Sequence, residues 1–371
     1  MAHGRHLVPA SAFPDELPAK ASIVLPLDVD TEYVPVDLDE LQHDRPYSPD
    51  HPQWRGVSTQ IAHIHHGRPL IFKHRDLYPV AERMGLPIPA DMLPLTHDAH
   101  LVDYVRHHGI DFDIQHYIGG LALHDKPEKG EPDKRLPALV IAVYAHFLIA
   151  DLVKIFDGEL RQDVLAALQQ GRFEQKRRVT GRGYAALHGV PMPWYATING
   201  VMYRVKIRPI DSAGLHGAAS LAKIAENLGV ELPHKGLAGA DISRMDWLCL
   251  NHYHDRFRPY AMGDLMVYRL LERYHEVFGE LVADLGLAEY WHDRGTRLTV
   301  GSTTANLVLW SLARLLGVPP EDISSREGVE KFLAVTLGSA SAKRLATNIY
   351  EDRMTLAVTK SERAAHTSGG R

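Results

Sequence analysis

Acidic side chains at the ends of apolar segments constrain this chain more than any other feature of its sequence. Asp30 and Glu32 end one apolar run, Asp151 follows a second, and Asp264 lies among apolar residues near a helix start. Carboxylates brought together without compensating lysines repel one another, so a cation is the expected partner. Hard oxygen ligands select Mg²⁺ or Mn²⁺, ions that commonly bind phosphate substrates as well. The sequence therefore predicts a divalent-cation site built from distant segments.

The rest of the composition excludes several classes of protein. Cys249 is the single cysteine, which rules out an intramolecular disulfide and suits a reducing, cytoplasmic location. The N-terminal residues contain no long apolar segment of the kind that secretory signals carry. The longest apolar stretch, 137–156, is interrupted by Asp151 and Lys154, so it predicts a strand running into a helix and no membrane span. The histidine clusters have no cysteine partners that would complete a zinc site.

Hydrophobic periodicity predicts a mixed α/β domain followed by a helical C-terminal extension. The expected organisation is a flexible N-terminal arm over 1–20, the α/β domain over 21–290, and the helical extension over 291–371.

Local signals place individual elements within this domain. Residues 58–74 alternate and turn at His66-Gly67, which predicts a hairpin, and Asn199-Gly200 is the strongest hairpin signal in the chain. A strand over 138–146 is followed by a helix over 148–157. Gly229 is expected to close a short helix. Because proline suits the first turn of a helix, a long helix is predicted from about Pro259 to 285.

Basic residues concentrate in one segment, although the net charge of the chain is −5. What matters for nucleic-acid binding is the local field and not the total charge. The segment 172–184 therefore is a candidate nucleic-acid contact, and the alternative is a solvated charged loop. Its candidate residues are Lys176, Arg177, Arg178 and Arg182.

Two motifs sharpen the acidic pattern. Asp30-Thr31-Glu32 places two carboxylates on one strand, and Tyr260 precedes Asp264 by four residues. On a continuous helix that spacing would put the phenol and the carboxylate on one face.

In this order the motifs resemble those of the 3′→5′ exonuclease domain of family B DNA polymerases, particularly the protein-primed phage and linear-plasmid type. That domain belongs to the DEDD superfamily, in the subgroup with a tyrosine in its third motif. The resemblance implies an RNase H-like α/β fold, in which helices flank a mixed sheet. The first motif is similar to Asp30-Thr31-Glu32, the second to AHFLIAD ending at Asp151, and the third to Tyr260-Ala-Met-Gly-Asp264. The resemblance covers about 20–290.

The resemblance implies metal-dependent hydrolysis of single-stranded DNA from its 3′ end to mononucleotides. Asp30, Glu32, Asp151 and Asp264 would hold two Mg²⁺ or Mn²⁺ ions, and Tyr260 would position the attacking water. Contacts to the DNA end are implied for Thr31, His146, Phe147, Ser212 and Lys235, with Phe147 stacking on a base.

The chain also departs from the family pattern. Phe147 stands where the family has asparagine, and Asp28-Val29-Asp30 offers a second register for the first motif. No acidic polymerase motifs fit in 302–371, so no synthesis is expected. A polymerase or another replication or repair protein is a candidate partner in trans. Two alternatives stay open: a catalytically degenerate fold that serves as a nucleic-acid-binding or assembly module, and an RNA-degrading enzyme of the same superfamily.

Overall fold

A computed structural model gives the fold of two compact units, Met1–Leu271 and Glu272–Arg371. The sequence had placed the boundary near 290. Of the predicted N-terminal arm, Val8 and Pro9 are described and form a short strand. The described residues are 8–9, 22–35, 54–64, 68–96, 99–109, 111–116, 136–156, 189–213, 219–232, 236–237, 239–291 and 300–323.

A mixed sheet forms the centre of the first unit. Its described strands are β1 (Val8–Pro9), β2 (Ile23–Pro35), β3 (Trp54–His63), β4 (Leu70–Lys73), β5 (Leu93–Pro94), β6 (Phe112–His116), β7 (Ala138–Ala145), β8 (Val190–Ile198) and β9 (Val201–Asp211). The order across the sheet is β5-β4-β3-β2-β7-β9-β8-β6, and β1 pairs with β2. β2, β7 and β9 run parallel, whereas β3 is antiparallel to both of its neighbours. This arrangement confirms the predicted RNase H-like α/β class.

The central strand β2 separates apolar from acidic residues by simple alternation. Leu25, Leu27 and Val29 lie in the main hydrophobic core, and the positions between them point to the other face of the sheet. Pairing with β7 ends at Asp28, so the rest of β2 extends past the end of β7 with β3 as its neighbour. The acidic end of β2 is therefore open on one side.

In the first unit, helices pack on both faces of the sheet. The described helices of the whole chain are α1 (Leu77–Met84), α2 (His100–His107), α3 (Leu148–Ile155), α4 (Leu221–Leu228), α5 (Gly239–Ile242), α6 (Met245–Asn251), α7 (Arg258–Gly263), α8 (Val267–Asp284) and α9 (Val300–Leu316). A π-helical turn over Tyr253–Phe257 joins α6 to α7. Residues of α2 and α3 complete the core beneath β2, while α1, α6 and α7 form a second core on the opposite face.

Several local predictions are confirmed. β7 leads into α3. Asn199 and Gly200 adopt φ of 49° and 78° in a tight turn between β8 and β9, the positive values that such a hairpin requires. Gly229 closes α4 in the left-handed conformation. β3 and β4 pair antiparallel, with the turn at His66-Gly67 outside the described residues.

The described part of the second unit is helical, as predicted for the extension. Trp310 of α9 packs with Phe278, Val282 and Leu287, so the described segments share one apolar cluster. Short 3₁₀ turns follow at Ala288–Tyr290 and Pro320–Ile323. Within the described ranges of both units, no helix has the length and apolar character needed to cross a membrane.

Candidate metal centre

Three carboxylates from two separate elements meet at the open end of β2. Oxygen atoms of Asp30, Glu32 and Asp264 all lie within 4.8 Å of one another. Asp30 and Glu32 share one face of β2 because they are two residues apart. Glu32 is buried and the other two are half-buried. This spacing and the all-oxygen donor set suit a hard divalent cation.

Asp264 reaches the carboxylates of β2 because the predicted long helix is broken at this residue. The prediction of one helix from Pro259 to 285 was wrong: α7 ends at Gly263, a turn covers 264–266, and α8 begins at Val267. The Met266 N–H donates to the Asp264 carbonyl oxygen over 2.8 Å within this turn. Asp264 is therefore the residue that caps α7, and it reaches β2 from the helix end.

Tyr260 lies on α7 beside the same carboxylates. Burial raises the pKa of its phenol above the ordinary value, and the negative charges of Glu32 and then Asp30 raise the pKa further. The phenol therefore keeps its proton at neutral pH. A protonated phenol next to these carboxylates is a hydrogen-bond donor and not a base.

Asp151 joins the site from the first turn of α3. Its side chain is 3% exposed, and the Thr31 hydroxyl donates to its Oδ1 over 2.8 Å. Burial and, next, the charge of Asp30 raise the pKa of Asp151 well above its usual range, although hydrogen bonds from Thr31 oppose the shift. Its Oδ2 is buried with no hydrogen-bond partner among the described residues. A cation would satisfy this oxygen, so the donor set fits one.

Asp28 has a different environment from that of Asp30, although both belong to β2. Asp28 is buried, and its Oδ2 accepts from the Tyr268 backbone N–H over 3.1 Å, in the first turn of α8. Burial raises the pKa of Asp28 to about 8, the Tyr268 bond opposes this shift, and the charge of Asp30 adds to it. A carboxylate suits the N-terminus of an 18-residue helix. Asp28 thus caps α8 and does not belong to the group of three.

His146 and Phe147 form the short connection between β7 and α3. His146 Nδ1 lies 2.8 Å from the Ser212 hydroxyl. Phe147 has φ of 61°, an unusual conformation for a bulky residue, and its N–H donates to Asp211 Oδ1 over 3.1 Å. The Phe147 side chain is 47% exposed and contacts the His146 ring. This connection therefore presents an aromatic ring to solvent one helical turn before Asp151.

The predicted binding residues divide into two groups. Thr31, His146, Phe147 and Ser212 lie in the described residues, near the carboxylates or at the start of α3. The other predicted binding residues are outside the part of the chain that the structure describes: Lys176, Arg177, Arg178, Arg182 and Lys235.

Sequence reasoning missed two polar residues of β3. Gln60 pairs with Asp30 and Ser58 pairs with Glu32, so both lie beside the acidic end of β2. The signal that could have found them is the run Ser58-Thr59-Gln60 inside a buried strand. Polar side chains are seldom fully buried without a partner.

No protein-family model and no curated protein matches this chain. What the site can do is therefore argued from its own geometry.

The backbone at Phe147 generates the first prediction. A left-handed conformation costs a residue with a Cβ about 1–2 kcal/mol, a cost that glycine does not have. We expect Phe147→Gly to be more stable than Phe147→Ala by roughly this amount, measured by urea unfolding. Ala222→Gly on α4 is the control, and it should lose about 1 kcal/mol because its backbone is helical. Equal stability of the two Phe147 variants would contradict the strained backbone.

Proposed function

We propose that this chain is a Mg²⁺- or Mn²⁺-dependent 3′→5′ exonuclease that hydrolyses single-stranded DNA to mononucleotides. The observation that carries the proposal is the convergence of Asp30, Glu32 and Asp264 within 4.8 Å. Asp151 strengthens it, because one oxygen of this buried carboxylate has no hydrogen-bond partner in the described part of the chain, and a cation would satisfy it. The order of these residues in the sequence matches the order in the DEDD exonucleases that the chain resembles.

The carboxylates supply the negative charge that binds divalent ions between protein and phosphate. Two such ions, when bound, would lower the pKa of the attacking water and offset charge on the phosphate and the leaving oxygen. Thr31 fixes Asp151 by its hydroxyl, which keeps one carboxylate oxygen for the ion. Since β2 belongs to the sheet, Asp30 and Glu32 are held on a rigid element.

Tyr260 is the group that we assign to positioning the water. Its raised pKa keeps the phenol protonated, so it can donate a hydrogen bond but cannot serve as a base at neutral pH. Its closeness to Glu32 and Asp30 puts that donor beside the ion ligands. The phenol would therefore orient the water, and the proton of a water acidified by bound ions would pass to bulk solvent.

The exposed Phe147 ring is assigned to the terminal base of the strand. Aromatic side chains bind single-stranded nucleic acid by stacking, which tolerates any base and contributes about 1–3 kcal/mol per base. The ring stands one helical turn before Asp151, on the connection that leads into α3. An unpaired end would reach both groups, whereas a base within a duplex would first have to unstack.

The test of this function is hydrolysis of oligonucleotides labelled at the 3′ or the 5′ end. With Mg²⁺ or Mn²⁺ we expect stepwise shortening from the 3′ end and none in EDTA. Asp151→Ala should abolish hydrolysis yet unfold no earlier than wild type in EDTA, because a repelling buried carboxylate is removed. Asp284→Ala, an exposed change on α8, is the matched control and should retain activity.

Three results would contradict or redirect this proposal. Cleavage by purified Asp151→Ala, at the wild-type rate, would exclude the metal assignment. Binding of labelled strands without any metal-dependent cleavage would favour a degenerate binding module. Faster cleavage of RNA strands than of DNA strands would change the substrate while keeping the site.

The role of Tyr260 gives a separate prediction. Tyr260→Phe keeps the ring packing and loses the hydroxyl, so the hydrolysis rate should fall by about 10²–10⁴. Mn²⁺ affinity should stay at the wild-type value, because the phenol is not a ligand. Tyr78→Phe, which removes an exposed phenol on α1, should leave both quantities unchanged. A fully active Tyr260→Phe variant would reduce Tyr260 to a packing residue.

A further inference from the structure

Two buried polar residues of β3 lie directly beside the carboxylates of β2. In the antiparallel register, Gln60 is the partner of Asp30 and Ser58 is the partner of Glu32. Directly opposed residues project to the same face of a sheet, with Cβ atoms about 4.5–5.5 Å apart. Both Gln60 and Ser58 are 0% exposed. The row of carboxylates is therefore flanked by a second row of polar side chains.

Among the described residues, only the NH₂ group of the Gln60 amide has a hydrogen-bond partner. Its Nε2 donates to the Ser58 hydroxyl oxygen over 2.6 Å, which directs the amide along β3 from Asp30 toward Glu32. Its Oε1 is buried and has no hydrogen-bond partner among the described residues. On the other side, the β4 partner of Gln60 is the buried, apolar Ile71. A buried acceptor left unsatisfied costs roughly 1–3 kcal/mol.

The orientation of this amide indicates what should satisfy the oxygen. Beside carboxylates alone, an amide gains by turning its NH₂ group toward the negative charges. Here the NH₂ group is engaged by Ser58, and the carbonyl oxygen is buried with no hydrogen-bond partner among the described residues. That orientation is favourable next to a cation, because amide carbonyl oxygens are ordinary ligands of hard divalent ions.

We propose that Gln60 is a further residue of the metal centre, with its Oε1 as a neutral oxygen donor to the cation held by Asp30 and Glu32. Ser58 is a positioning residue that fixes the amide. The inference rests on the metal site of the proposed function. A neutral donor adds an oxygen to the site without adding to the repulsion between carboxylates.

The test is the affinity of the whole chain for Mn²⁺. It is measured in solution from the electron paramagnetic resonance signal of the unbound ion. Gln60→Met keeps the side-chain length and loses the oxygen, so we expect Mn²⁺ binding to weaken by about 10–100-fold, the loss typical of groups that support a metal site. Gln115→Met, the same change on β6 at the far edge of the sheet, should bind as wild type. In EDTA, Gln60→Met should melt no earlier than wild type, because it removes an unsatisfied oxygen.

Two further variants separate the possible outcomes. Gln60→Glu retains an oxygen at the same place and should bind Mn²⁺ at least as tightly as wild type. Ser58→Ala frees the amide and should weaken binding severalfold, which tests the idea even where Gln60→Met does not fold. If Gln60→Met binds Mn²⁺ with wild-type affinity, Gln60 is not part of the metal centre. A lower melting temperature of that variant in EDTA would then show that its role is structural. Failure of the wild-type protein to bind Mn²⁺ would instead overturn the proposed function together with this inference.

Discussion

Repulsion between buried and half-buried carboxylates is the constraint on which the rest of this structure depends. Asp30, Glu32 and Asp264 lie within 4.8 Å of one another, and burial with the charge of Asp30 raises the pKa of Asp151. Such a group can take up protons or bind a cation. A divalent ion, as the proposed function requires, would offset all of these charges together. Under that proposal the metal-free protein is less stable than the ion-bound protein.

The fold holds these charges together on three elements: Asp30 and Glu32 lie on β2, Asp151 on α3, and Asp264 at the end of α7. Alternate residues of β2 fill the apolar core, so the opposite, acidic face of the strand is held in a fixed orientation. β7 ends its pairing at Asp28, which leaves the following residues accessible to α3 and to the end of α7. Asp28 caps α8 by accepting a hydrogen bond from the Tyr268 N–H. This cap lies just after the helix break that lets the Asp264 side chain approach β2. One strand thus supplies both two of the proposed ligands and a structural carboxyl group.

How much of this could be predicted from the sequence depends on whether the signal was local. The Asn199-Gly200 turn, the passage from β7 to α3, and the glycine that closes α4 follow from short-range chemistry. The break at Asp264 could not be predicted from local sequence, because the apolar pattern continues through it. The N-terminus of α8 is fixed by Asp28, which is distant in the chain. Gln60 was missed for a related reason: its closeness to Asp30 exists only in the register between β2 and β3.

The most direct measurement compares Glu32→Gln with Asp28→Asn in single-turnover hydrolysis of 3′-labelled single-stranded DNA. Both changes replace one buried carboxyl group on the same face of β2 with an amide of the same shape. Since Glu32 lies with Asp30 and Asp264 whereas Asp28 caps α8, Glu32→Gln should be nearly inactive and Asp28→Asn only mildly impaired. The opposite ranking would contradict the account and move the metal centre to Asp28 and Asp30.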